Sequence, residues 1–184
     1  LLQVEYAKQT VKQGTTTLGI TCKDGVVLLA DKRVGEKLIV PKSIEKVYQI
    51  DGHMGASASG ILSDGRILIE RAQVLAQQHK VTYDEPIDVL QIVKDTCNIK
   101  QMYTQVGGAR PFGVSILFAG VDPTGARLFL TDPTGIFFEY KATAIGEAET
   151  EIKEILEREY KETITVKEAI SLGVRALKKV LGKD

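Results

Sequence analysis

Two blocks of short strands, each followed by a pair of helices, constrain what this chain can fold into more than any single motif. Residues 3–13 place Val4, Ala7 and Val11 at helical spacing, and Gly14 stops the run. Residues 16–22 and 26–30 are apolar runs around the tight turn Lys23-Asp24-Gly25, which is a hairpin signature. A second strand pair, 46–50 and 53–59, turns at Asp51-Gly52. Its second member is crowded with small residues, which suits a strand whose backbone is closely approached by something else. Two helices follow. Ser63 is placed to cap the first, whose apolar face is Leu68, Ala72, Leu75 and Ala76. Asp84-Glu85-Pro86 open the second, with Leu90, Val93 and Cys97 on its buried stripe.

Strands return at 114–121, and residues 137–145 supply one or two more. Asp122-Pro123-Thr124-Gly125 and Asp132-Pro133-Thr134-Gly135 read as two β-turns, with Gly where positive φ is needed. The last block is helical. Ile152, Ile155, Leu156 and Tyr160 form one face, Thr165 and Glu168 form a capping box, and Ile170, Val174, Leu177 and Leu181 follow. Clustered antiparallel strands with paired helices predict a layered α+β fold over residues 1–184 as one domain, two sheets face to face with helices outside.

Composition narrows the function classes. Lys plus Arg and Asp plus Glu are both 24, so no basic excess points to nucleic acid, and a net charge near zero permits self-association. No apolar run has the length of a membrane span. Cys22 and Cys97 have no second Cys or His at metal-ligand spacing and read as buried small hydrophobes of a reducing cytosol, with no metal expected. His53 and His79 show no acid or cysteine partner at useful spacing, and no cofactor is expected.

Thr15 is the candidate for chemistry. A threonine becomes a hydrolytic nucleophile when it is the first residue, because its own free α-amine then acts as general base. Thr15 has residues 1–14 in front of it, so its nitrogen is an amide and cannot take the hydroxyl proton.

Several short segments, in order, resemble the α subunits of archaeal proteasome core particles. They are Leu2-Gln3-Val4-Glu5-Tyr6-Ala7, Gly14-Thr15-Thr16, Ser43-Ile44-Glu45-Lys46, Tyr103-Thr104-Gln105, Gly107-Gly108, Arg110-Pro111-Phe112-Gly113-Val114-Ser115 and Tyr140-Lys141-Ala142-Thr143-Ala144-Ile145-Gly146. The resemblance implies the four-layer αββα sandwich of the N-terminal-nucleophile hydrolases. It also implies a gate segment before Leu1 and further strands after Asp184, so a trimmed chain is expected. Within it, 1–13 is a leading helix at a subunit interface and 14–184 the sandwich. Glu147 stands where the family carries a serine, which makes that turn bulkier.

The resemblance raises the catalytic β subunits of the same particle as an alternative, self-processed before Thr15. Aligned on Thr15, Asp31 falls on the β acid, Val47 on the β lysine and Glu147 on the β serine. Lys46 is adjacent to Val47, but strand alternation would turn it to the opposite face. Asp31 is then a structural acid, paired with Lys32 or Arg33 or capping a turn. The preferred reading is a non-catalytic subunit with no catalytic residue. The resemblance gives it a homo-heptameric α ring stacked on β subunits in the cytoplasm, and unfolded polypeptide as the cargo in transit. Lys46 would receive the C-terminal carboxylate of a regulatory ATPase tail, with Gly60 leaving room for the tail's backbone. Tyr6 would support the gate. Gln3, Val4, Glu5, Arg110, Pro111 and Phe112 would lie at subunit contacts.

Overall fold

A computed structural model describes residues 1–182. The leading helix α1 (Leu2–Gln13) runs through Gly14 into β1 (Thr17–Cys22), which pairs antiparallel with β2 (Gly25–Ala30). A short 3-10 turn, Pro41–Ser43, precedes β3 (Val47–Asp51) and β4 (Met54–Gly60). Helices α2 (Leu62–Tyr83) and α3 (Val89–Gln105) follow. Then come β5 (Val114–Asp122), β6 (Gly125–Thr131), β7 (Phe137–Glu139) and β8 (Ala142–Ile145), and finally α4 (Glu149–Glu159) and α5 (Val166–Leu181).

The strands form two sheets, ordered β2-β1-β8 and β3-β4-β5-β6-β7. Residues 137–145 therefore feed both: β7 closes one edge of the larger sheet, and β8 crosses to pair with β1. Alternation along single strands builds the layers. On β5, Ile116 and Phe118 face α2 and α3, whereas Leu117 and Ala119 face the other sheet. On β6, Phe129 joins the helix side and Leu128 the space between sheets. On β1, Leu18 and Ile20 pack under α4 and α5 with Ile152, Leu156 and Leu172. The result is the expected αββα sandwich, with three apolar layers because both faces of each sheet are covered.

Four local expectations are corrected. Ser63 does not cap α2; it lies inside the helix, whose N-cap is Ile61, and Asp64 in the first turn is committed elsewhere. Asp84 does not open α3. It ends α2 in the left-handed region (φ 55), and Asp88 is the residue before α3. On α5 the buried stripe is Ala169, Leu172, Gly173 and Ala176, while Ile170 and Val174 face outward at 43% and 38% exposure. Small residues win that face because the sheet lies close: a Cβ on Gly173 would come within 3.2 Å of Leu18 Cδ1. His53 and His79 do have acid neighbours, with Asp51 Oδ2 3.7 Å from His53 Nδ1 and Glu85 Oε1 3.7 Å from His79 Nε2.

Both cysteines are buried, and desolvation pushes each thiol up to about 11. The most deeply buried charge is Lys100 on α3, fully shielded from solvent. Its Nζ donates to the carbonyl of Val114 at 2.8 Å and to Thr131 Oγ1 at 3.1 Å. Burial lowers its pKa to about 8 against the opposing pull of Cys97 and Asp132. This side chain bolts α3 to the start of β5 and the end of β6. Among the described residues no helix is long and apolar enough to cross a membrane, and no three His, Cys, Asp or Glu side chains are grouped to hold a metal ion.

Candidate functional site

The three threonines after α1 send their hydroxyls to three different elements. Thr15 Oγ1 accepts from Lys46 Nζ at 2.9 Å. Thr16, fully buried, accepts from the backbone N–H of Ala148 at 3.1 Å and so ties β1 to the start of α4. Thr17 Oγ1 lies 2.8 Å from the Leu29 carbonyl, to which it donates, and 2.7 Å from Ser57 Oγ across the two sheets. Ser57 Oγ in turn donates to the carbonyl of Lys46 at 2.8 Å. Lys46 is thus held at both ends by hydroxyls, its ammonium by Thr15 and its carbonyl by Ser57.

This geometry corrects the register argument. Lys46 lies just before β3, and alternation carries through it: Lys46, Tyr48 and Ile50 turn inward while Val47 and Gln49 face out, so the lysine that reaches Thr15 is Lys46. Val47, assigned the lysine's place by counting from Thr15, is 47% exposed instead. Burial holds the Lys46 ammonium below the ordinary lysine range, and the Asp31 carboxylate pulls the other way.

Asp31 is 8% exposed and is claimed by Arg33, whose Nε donates to Oδ2 at 2.7 Å. The same guanidinium donates through Nη2 to the Glu147 carboxylate. Glu147 therefore does not crowd its turn. Its side chain is turned out to Arg33, and its backbone N–H bonds the Gly14 carbonyl at 2.9 Å. Asp31 is hydrogen-bonded to Arg33, which it shares with Glu147, and among the described residues no carboxylate lies within ion-pair distance of Lys46. The arrangement presents a half-buried ammonium with donors to spare. The Thr15 hydroxyl is engaged by that ammonium, and its own nitrogen is an amide.

Gly60 sits at the same junction, its backbone N about 2.5 Å from where a Cβ on Gly14 would lie. Its φ is +118, and the space a side chain would need is filled by the Gly113 carbonyl oxygen. At this position the glycine admits the chain's own backbone.

Arg110, Pro111 and Phe112 are anchored inside the chain. Arg110 makes a bidentate pair with the buried Asp64, Nη1 to Oδ2 at 2.6 Å and Nη2 to Oδ1 at 2.7 Å. Asp64 also accepts from Gly113 N–H at 2.9 Å. Phe112 meets Tyr103 edge-on, with ring centroids 4.8 Å apart. On α1, Gln3 and Glu5 are exposed, Val4 is half-buried and Tyr6 is 70% exposed.

Burial pushes the Asp64 carboxyl up, but the Arg110 and Gly113 hydrogen bonds outweigh it and hold the pKa below the usual value. A folded-state value below the unfolded one stabilises the protein above about pH 4 and is lost as pH falls through the folded value. Arg110→Ala should cost about 2 kcal/mol at pH 7, since it strands a buried carboxylate, discounted because the Arg110 side chain is 60% exposed. Urea unfolding at pH 7 and below pH 4 should show that deficit closing on acidification. A deficit independent of pH would reject the electrostatic account.

The family model described as Proteasome subunit matches residues 11–184. Over 177 residues the chain is 58% identical to the proteasome subunit alpha of Methanopyrus kandleri, covering 96% of this chain and 72% of that protein. It is 52% identical over 179 residues to the protein of the same name from Methanocaldococcus jannaschii, covering 97% and 69%. Against the one from Archaeoglobus fulgidus the identity is 51% over 177 residues, covering 96% and 72%.

Proposed function

The chain belongs to the proteasome subunit family, as an α subunit of the core particle, and we propose that it acts there as a non-catalytic scaffold and gate. In this reading seven copies form a ring at the end of the stacked β rings, in the cytoplasm. The ring narrows the passage for unfolded polypeptide and receives the C-terminal tails of regulatory ATPases at Lys46, beside Gly60. Tyr6 supports the gate. Gln3, Val4 and Glu5 on α1, with Arg110, Pro111 and Phe112, lie at contacts with neighbouring subunits. No metal or cofactor takes part.

The observation that carries the non-catalytic reading is the environment of Thr15. Its nitrogen is an amide between α1 and β1, and its hydroxyl is engaged by a cation rather than a base. That same contact is what favours the alternative, a β-type threonine endopeptidase that removes residues 1–14, because a lysine beside the nucleophile is what such a site needs. Native mass spectrometry of the purified chain separates the two. The proposal expects a seven-fold multiple of the intact mass. A subunit shortened by residues 1–14 would establish the endopeptidase, and a persistent monomer would remove the ring.

A further inference from the structure

The sequence singled out Thr15 as a nucleophile, and the non-catalytic reading leaves its side chain without a role. We propose that Thr15 is the positioning residue of the Lys46 site, its hydroxyl fixing the ammonium so that a carboxylate ligand meets donors already aimed. The inference rests on the reading of Lys46 as the acceptor of a peptide's terminal carboxylate.

A free lysine side chain has four rotatable bonds, and ordering it on binding costs affinity. Here the ordering is done before the ligand arrives. Thr15 Oγ1 takes one N–H of Lys46 at 2.9 Å. An ammonium has three, so two remain for a carboxylate, which accepts at both oxygens. The main chain is fixed as well, because the buried Ser57 hydroxyl donates to the Lys46 carbonyl. Charge completes the argument. The nearby Asp31 would capture the ammonium and repel a carboxylate, but Arg33 holds it, with Glu147 on the guanidinium's other side. Thr15 is neutral and orients Lys46 without cancelling its charge.

The test is a titration of a fluorescent peptide carrying the C-terminal residues of an archaeal regulatory ATPase against the assembled chain. Thr15→Val keeps shape and removes the acceptor, and should weaken binding about three- to tenfold, the range for ordering one long side chain on binding. Thr15→Ala is a second hydroxyl-free variant and should weaken it comparably. Thr15→Ser restores the oxygen and should bind within about twofold of the parent. A merely structural role for the threonine methyl would leave Thr15→Ser as weak as Thr15→Ala. Lys46→Ala is measured alongside. If it loses binding while Thr15→Val and Thr15→Ala match the parent, the positioning role is overturned. If Lys46→Ala itself binds normally, the docking reading fails and the positioning role falls with it.

Discussion

Replacing Lys46 by alanine should leave the assembled chain intact and remove its response to a regulatory ATPase. The ammonium is half-buried, and the nearby Asp31 is hydrogen-bonded to Arg33 rather than ion-paired with Lys46, so the ammonium is available to an incoming carboxylate. A charge-assisted hydrogen bond contributes about 1.5–3 kcal/mol, so the affinity for a tail peptide should fall about 10- to 100-fold. Basal hydrolysis of small peptides by the complete particle should not change, because Lys46 touches no reacting group in this reading. Lys46→Arg keeps charge but not shape, and its planar fork does not fit a site built around one Thr15 oxygen. Binding should also fade as pH is raised, and earlier than for an ordinary lysine, since burial lowers the pKa and only the ammonium attracts the carboxylate. Stimulated degradation unchanged in Lys46→Ala, with normal assembly, would take docking away from this site.

The fold was legible because its signals are local and repeated. Hairpin turns at Lys23-Asp24-Gly25 and Asp51-Gly52, helical stripes such as Leu68-Ala72-Ala76, and the two Asp-Pro-Thr-Gly turns each act within a few residues. What stayed hidden depends on what a segment packs against. Nothing in the run of residues 137–145 says that β7 and β8 join different sheets. On α5 the larger side chains Ile170 and Val174 advertise a buried face, yet Gly173 and Ala176 take it because the sheet beneath leaves no room.

The site was read less well, and for a related reason. Counting residues from Thr15 put Val47 in the lysine's place, and the alternation rule then dismissed Lys46. The alternation itself holds, with Lys46 turned in and Val47 turned out; the count from Thr15 was one residue off, so the rule was applied to the wrong face. The hydroxyl pair of Thr17 and Ser57 had no signature in sequence, being an ordinary threonine and serine until two sheets are stacked. Glu147 looked like a bulky intruder because its partner, Arg33, is far away in the chain and close only in space.

The glycine before that glutamate should be among the least replaceable residues near the site. Gly146 links β8 to α4 with φ +108, a region L residues rarely enter, and holding a side chain there costs about 1–3 kcal/mol. A Cβ would also stand 2.6 Å from the Thr15 carbonyl oxygen, 2.7 Å from Thr16 Cα and 2.9 Å from the Thr15 carbonyl carbon. All three are backbone atoms, so no side chain can swing aside, and relief requires moving β1 away from the turn. That movement would lengthen the bond from Glu147 N–H to the Gly14 carbonyl and the one from Ala148 N–H to Thr16 Oγ1. Gly146→Ala should therefore lose about 4 kcal/mol or more, a large share of a domain's total of roughly 5–15 kcal/mol. At 184 residues that corresponds to a thermal midpoint lower by roughly 8–16 °C, measured at matched protomer concentration. Tail binding should fall with it, because Thr15 would shift from under Lys46. A midpoint within about 2 °C of the parent would mean that β1 yields at little cost, and that the close fit around Thr15 is not what holds this junction together.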